Sequence, residues 1–230
     1  MKQIKGVWLP DSDTHFERHL LKGPTYNNHG TYQFEKLMEA VKLTGSRHTA
    51  IDIGAHVGLW SMVLKDYFEH IASFEPVPAH LLCFHANLKG AIDYGQGEGN
   101  VEIHPFALGN REKKIFINPT PDNTGNAHVE TMKSETTIEV QQYRLDDCVE
   151  DFMIPPPISF IKIDVEGYEL EVVRGGERTI KAHKPVIVIE QKPGNATKYG
   201  FRNTEALELL IKWGAKVKWV KNGDYCLSFN

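Results

Sequence analysis

The sequence predicts a doubly wound α/β domain whose mostly parallel sheet finishes in an antiparallel hairpin. Three observations carry that prediction. Short apolar, β-rich runs alternate with stretches of helical period, the pattern of a parallel sheet covered on both faces. A strand-like run over 49–53 opens into Gly54, and a second glycine, Gly58, stands where the next helix begins. The chain closes on two alternating runs, 216–220 and 225–229, joined across Asn222-Gly223, a strong hairpin signal.

The elements follow in order. A helix over 31–43 puts Phe34, Leu37, Met38 and Val41 on one face. Residues 49–53 form the first strand, 59–68 a helix and 71–75 the second strand. The run 78–88 reads as a helix that begins at proline, where the missing N–H is harmless. A glycine-rich connection over 90–100 leads into a third strand, 101–107. From Gly109 to Val149 the pattern changes: 113–117 and 137–144 read as antiparallel strands around a polar loop, 118–136. This predicts a β insertion over 110–148 within one domain spanning 1–230, preceded by a helical N-terminal extension over 1–45. The apolar run 158–165, bounded by Pro155-Pro156-Pro157 and Gly167, reads as a buried central strand. A helix interrupted at Gly175-Gly176 follows over 169–183, then a strand over 185–190 and a helix over 204–213.

Composition narrows the function classes. The 230 residues are 41% hydrophobic and 24% charged, with a formal net charge of -4, enough apolar material for a sizeable core. The longest cationic cluster is Lys113-Lys114, so no nucleic-acid partner is expected. Cys83, Cys148 and Cys226 are odd in number and far apart, which suggests neither a disulfide framework nor a metal site. Residues 1–21 carry Asp11, Asp13, Glu17 and Arg18 without a long apolar run, so no signal peptide is expected. No run of about 18 apolar residues occurs, and a cytoplasmic protein without an integral membrane segment is the expectation.

Three sites carry candidate chemistry. In Ile51-Asp52-Ile53-Gly54-Ala55-His56-Val57-Gly58 the glycines omit a Cβ where a ligand or neighbouring backbone approaches closely. Asp52 would repel a pyrophosphate and suits a ligand bearing an ammonium or sulfonium. Both common phosphate-loop signatures are absent. A tight turn without a ligand is the alternative. In Phe74-Glu75-Pro76, Glu75 stands where a ribose-binding carboxylate belongs in doubly wound folds; a plain helix N-terminal charge is the alternative. In Phe160-Ile161-Lys162-Ile163-Asp164-Val165-Glu166-Gly167-Tyr168-Glu169, Asp164 and Glu166 emerge at the carboxyl end of a buried strand, the rim where ligands bind. A carboxylate there can take a proton from an acceptor hydroxyl. With Glu190 the pair also offers oxygen ligands to a divalent metal, which is possible but not predicted. Glu169 and Glu171 read as solvated first-turn charges.

These residues, with Ala107-Leu108-Gly109, Asp122-Asn123-Thr124-Gly125 and Leu145-Asp146-Asp147, resemble the ordered motifs of FkbM-type methyltransferases over roughly 50–192. The Ile-Lys-Ile-Asp-Val-Glu-Gly-Tyr-Glu run is the most specific; His56 stands where members commonly have Asn. The resemblance implies a Rossmann-like, seven-stranded class I methyltransferase sheet and S-adenosylmethionine as cofactor. It also implies O-methylation of a sugar, glycan or small metabolite. By the same resemblance Asp52, Gly54, Ala55, His56 and Gly58 would hold the methionine part and Glu75, with Pro76, the ribose. Ala107 and Leu108 would lie near the adenine, and Asn123, Thr124 and Gly125 would close over the cofactor. Asp164 would face the methyl group and Glu166 would organise the pocket. His128 and Glu130 could reach the acceptor, although His128 reads better as a surface loop histidine. Tyr26, Tyr32, Trp60 and Tyr168 could stack on a sugar ring, but such aromatics usually sit in the core.

Two other classes compete. A nicotinamide-dependent oxidoreductase is disfavoured by Asp52, the missing phosphate fingerprint and the terminal hairpin. A catalytically silent cofactor-binding protein would keep the same motifs, and cofactor binding without product would reveal it.

Overall fold

The computed structural model describes residues 1–93, 99–121, 123–151 and 154–230. The chain begins with two small hairpins and two helices: β1 (Lys2–Ile4), β2 (Val7–Leu9), α1 (His15–Lys22), β3 (Thr25–Tyr26), β4 (His29–Gly30) and α2 (Phe34–Val41). The expected helical extension over 1–45 is therefore helical only in part. Asn27-Asn28, both at positive φ, turn β3 back on β4 and divide the segment.

The central part runs β5 (Thr49–Ile53), α3 (Ser61–Leu64), β6 (His70–Phe74), α4 (Pro78–Asn87) and β7 (Val101–His104). Then come β8 (Ala107–Leu108), β9 (Lys113–Asn118), β10 (His128–Glu130), β11 (Ile138–Tyr143) and α5 (Leu145–Asp151). The last third holds β12 (Ile158–Ile163), α6 (Glu169–Gly175), α7 (Glu177–His183), β13 (Val186–Glu190), α8 (Glu205–Lys212), β14 (Lys216–Lys221) and β15 (Asp224–Ser228). Two sequence expectations change. The helix over 59–68 is α-helical only across Ser61–Leu64, flanked by turns with mixed three- and four-residue hydrogen bonds. The third strand ends at His104, because Pro105 has no N–H for the ladder, and Ala107 and Leu108 join a different sheet.

The main sheet has seven strands in the order β14-β15-β13-β12-β5-β6-β7. β13, β12, β5, β6 and β7 pair in parallel, while β15 pairs antiparallel with β13 and with β14. Side-chain alternation builds two cores from these strands. Ala50, Phe160, Val186, Val188 and Cys226 face the core that α1 to α4 cover. Ile51, Ile161, Ile187, Ile189 and Leu227 face the core that α5 to α8 cover. Both faces of the central strands are dry, which is why they read as continuous apolar runs.

The insertion forms its own four-stranded sheet, β10-β9-β11-β8, rather than extending the main one. Its Ile115 and Ile117 pack on Val77 at the start of α4, which sets this small sheet over the edge of the cleft described next. The part of the 90–100 connection over 94–98, and Asp122 of the polar loop, lie outside the described residues.

Candidate active site

The chain runs outward from β5 to β7, then returns to place β12 on the other side of β5. That reversal leaves a crevice at the carboxyl ends of β5 and β12, where ligands bind in open α/β sheets. A cleft lies there with about 620 Å³ of free space counted out to its mouth. Of the residues expected to bind or react, Gly54, His56, Glu75, Pro76, Ala107, Leu108, Asp164 and Glu166 line it; Asp52, Ala55, Gly58 and Asn123 do not.

Asp52 shows why. It is fully buried, its Oδ2 accepts from Ser61 Oγ at 2.7 Å, and its Oδ1 stands 3.2 Å from Lys162 Nζ. Lys162 also donates to the Gly54 carbonyl at 2.8 Å. Asp52 therefore faces inward beneath the loop, not outward to a ligand's positive charge. The glycines are likewise set by the protein's own packing. A Cβ on Gly54, at φ 72°, would lie 1.9 Å from the Asp164 carbonyl oxygen. One on Gly58, at φ 87°, would lie 2.8 Å from the Phe84 ring. The first lets the β12 loop cross β5; the second lets α4 close on the turn.

Glu75 ends β6 and organises one side of the cleft. Its Oε2 accepts the His56 N–H at 2.8 Å, and its Oε1 accepts the Val77 N–H at 2.9 Å, with His80 Nδ1 at 3.0 Å. His56 adopts φ 53°, the left-handed conformation that aims its N–H at Glu75. Next to Glu75 stand the apolar side chains of Phe74, Phe106, Leu108, Ile117 and Val129. This combination of a carboxylate and a dry slot suits a nucleoside.

At the other side, Asp164 follows β12 with its N–H bonded to the Ile53 carbonyl, and a quarter of its side chain is exposed. Glu166 is buried and accepts from Asn195 Nδ2 at 2.8 Å; burial, then the Asp164 charge, push its carboxyl up. Glu169 and Glu171 are buried, at 2% and 7% exposure, and are not the solvated charges expected. Glu169 Oε1 accepts the N–H groups of Val165 and Gly167 at 3.2 and 2.9 Å, fixing the turn that presents Asp164 and Glu166. Burial pushes the Glu169 carboxyl up to about 7. Glu171 pairs with Arg174 at 2.8 Å.

The polar loop forms a roof. His56 Nε2 lies 2.7 Å from Thr124 Oγ1, while Thr124 donates its N–H to Asp13 at 3.2 Å and its hydroxyl to the same carboxylate. Phe16 stacks on the His56 ring, with centroids 4.6 Å apart. His128 lines the cleft instead of lying on a surface loop, its Nε2 3.2 Å from Glu130. Trp60 is core; Tyr168 is buried at the cleft edge; Tyr26 and Tyr32 are half-buried.

Sequence reasoning did not single out Lys162, His80, Phe106, Asp13 or Phe16. Lys162 carried a legible signal, a lysine inside an apolar strand. Asp13 carried none, because its partner Thr124 is 111 residues away.

The residues fit S-adenosylmethionine. His56 Nδ1 is buried without a hydrogen-bond partner among the described residues, apolar side chains stand beside Glu75, and Asp164 lines the same cleft with a carboxylate. A cleft at the switch point, on a parallel sheet closed by an antiparallel hairpin, defines a class I methyltransferase fold. Within that class the chain belongs to the FkbM methyltransferase family: residues 52–217 match the methyltransferase FkbM domain. The family's cofactor is S-adenosylmethionine.

Two curated relatives are similar. "Methyltransferase 1" of Beauveria bassiana is 23% identical over 146 residues, 54% of this chain and 57% of that protein. The hexuronic acid methyltransferase AglP of Haloferax volcanii is 26% identical over 137 residues, 60% of this chain and 53% of that protein. The alignments thus span little more than half the length of these relatives. Among solved structures, methyltransferase FkbM from Methylobacillus flagellatus superposes with a TM-score of 0.50 at 21% identity, covering 79% of this chain and 43% of that one. Precorrin-6y C5,15-methyltransferase from Geobacter metallireducens gives a TM-score of 0.50 at 16% identity, covering 98% and 97%. These two likenesses show the fold.

Proposed function

We propose that the chain is an S-adenosylmethionine-dependent O-methyltransferase acting on a hydroxyl of a sugar, glycan or small metabolite. The observation that carries this reading is the placement of Asp164. It lines the cleft, partly exposed, and the same cleft is lined by Glu166 and Glu75. The hexuronic acid named in the Haloferax volcanii relative supports a carbohydrate acceptor, and the net charge of -4 supports a small one over nucleic acid. The whole chain, 1–230, acts as one domain in this reading, with its N-terminal segment as part of the roof.

The cofactor supplies a methyl group already bonded to a good leaving sulfur. The protein's share is then alignment, which can supply up to about 7–11 kcal/mol in favourable cases. Glu75 would accept from a ribose hydroxyl through the Oε2 lone pair that the His56 N–H leaves free. Phe106, Ala107 and Leu108 hold the adenine. The Gly54–His56 turn, pinned from below by Lys162 and Asp52, takes the methionine part. Asp164 receives the acceptor's proton, an effect typically worth about 10²–10⁴-fold. Among the described residues no helix is long and apolar enough to cross a membrane.

Calorimetric titration with S-adenosylmethionine and, separately, with NAD tests the reading. Saturable S-adenosylmethionine binding, weakened in Glu75→Gln, is the expected result. Binding of NAD instead would overturn it.

A further inference from the structure

A second opening lies on the far side of the carboxylates. Tyr32, Gln33 and Lys36 of the N-terminal segment bound it, together with Glu190, Lys192 and Asn222 from the opposite edge. It offers about 830 Å³ of free space counted out to its mouth. One oxygen each from Asp164, Glu166 and Glu190 lies within 4.8 Å of the others. Asp164 and Glu166 line the cofactor cleft and Glu190 lines the second opening, so the two spaces meet across this wall.

The opening has the chemistry of a polyol site. Glu190 is only 4% exposed, yet its Oε2 is buried without a hydrogen-bond partner among the described residues. Buried polar atoms are normally satisfied, and an unmet one at the inner end of a pocket points to a ligand. Lys192 Nζ stands 2.7 Å from Glu190 and 3.5 Å from Glu166, a cation already set among the carboxylates. Tyr32 supplies an aromatic surface, held edge-on by Phe16 at 4.9 Å and by His19 at 5.5 Å. Beyond it, Lys36 and Gln33 are braced on Asp224, so this wall is polar and held in place. Donors, acceptors and a ring surface around one opening match the alternating hydroxyls and apolar face of a pyranose.

We propose that this opening is the acceptor subsite and takes a sugar ring. The proposal rests on the methyl-transfer reading above. Glu190 and Lys192 grip neighbouring hydroxyls, and the reacting hydroxyl reaches past Glu190 to Asp164. Its oxygen bonds to the methyl carbon, the carbon–sulfur electron pair stays on sulfur, and the proton passes to the Asp164 carboxylate.

The test uses the full chain and a panel of methyl glycosides: glucoside, galactoside, mannoside, rhamnoside and glucuronide. Saturation-transfer NMR in the presence of S-adenosylhomocysteine reads binding, and tritiated methyl transfer reads turnover. At least one glycoside should bind and be methylated. Tyr32→Ala and Lys192→Met should each raise its KM tenfold or more while the S-adenosylmethionine Kd stays within twofold. No response from any glycoside, in protein that binds S-adenosylmethionine, overturns the sugar subsite and leaves the methyltransferase reading intact. Turnover abolished by EDTA and restored by Mg²⁺ also overturns it, since the three carboxylates would then be metal ligands. Failure of the wild-type chain to bind S-adenosylmethionine would instead overturn the reading beneath it.

Discussion

Lys162 Nζ lies 3.2 Å from Asp52 Oδ1, and both side chains sit beneath the Gly54 turn with at most 8% exposure. The same ammonium donates to the Gly54 carbonyl and stands 3.9 Å from Asp164. One buried cation thus ties the motif after β5 to the motif after β12. Asp52 holds Lys162 protonated against the cost of burial. Lys162→Met should leave Asp52 charged, buried and uncompensated, a loss of about 3–5 kcal/mol. Asp52→Asn with Lys162→Met should cost less than the two single changes summed. Urea unfolding of the three variants checks this; strict additivity would mean the pair is not coupled.

Asp164 is expected to matter for turnover more than for cofactor affinity. Asp164→Asn keeps the shape and removes the proton acceptor, so kcat should fall about 10²–10⁴-fold with the S-adenosylmethionine Kd within a few-fold. Single-turnover methyl transfer beside calorimetry separates the two. Unchanged kcat would remove Asp164 from proton transfer.

The roof should depend on Asp13. Its Oδ1 accepts the Phe16 N–H at 2.7 Å, capping α1, while its Oδ2 holds Thr124 above His56. Asp13→Ala should cost about 1 kcal/mol through the cap alone. Loosening of the Thr124–His56 contact should also speed S-adenosylhomocysteine release. Stopped-flow displacement measures that release rate, and an unchanged rate would show that the roof does not retain the cofactor.

Glu169 gives a pH dependence of stability. Burial raises its carboxyl from 4.5 to about 7 in the folded chain. Between those values the folded state holds a proton that the unfolded chain has released. Stability is therefore full below the window and declines as pH rises through it, by on the order of 3 kcal/mol. Glu169→Gln should flatten the Tm profile over that range. An unchanged slope in the variant would place the titration elsewhere.

The fold was largely legible because its signals are local. The apolar runs of β5, β12 and β13, the Asn222-Gly223 turn and the break at Gly175-Gly176 each lie within a few residues of the feature they specify. The helical extension was misread because hairpins as short as β1–β2 and β3–β4 leave little periodicity to see. Glu169 and Glu171 looked solvated because charge in a first helical turn is ordinarily exposed. Here Glu169 is turned onto the Val165–Gly167 loop and Gln191, and Glu171 is paired with Arg174, contacts that sequence does not register.

By itself, then, the sequence determined the parallel sheet, its hairpin end, the cleft at the ends of β5 and β12, and the carboxylates Glu75, Asp164 and Glu166 at its edges. These follow from hydrophobic period and from residues adjacent in the chain. Only the tertiary structure decided which way each side chain faces. It turned Asp52 inward to Lys162, brought Asp13 and Phe16 over His56, and set Glu190 and Lys192 between the cleft and a second opening. Those contacts join residues far apart in the chain, and packing fixes them where no local preference could.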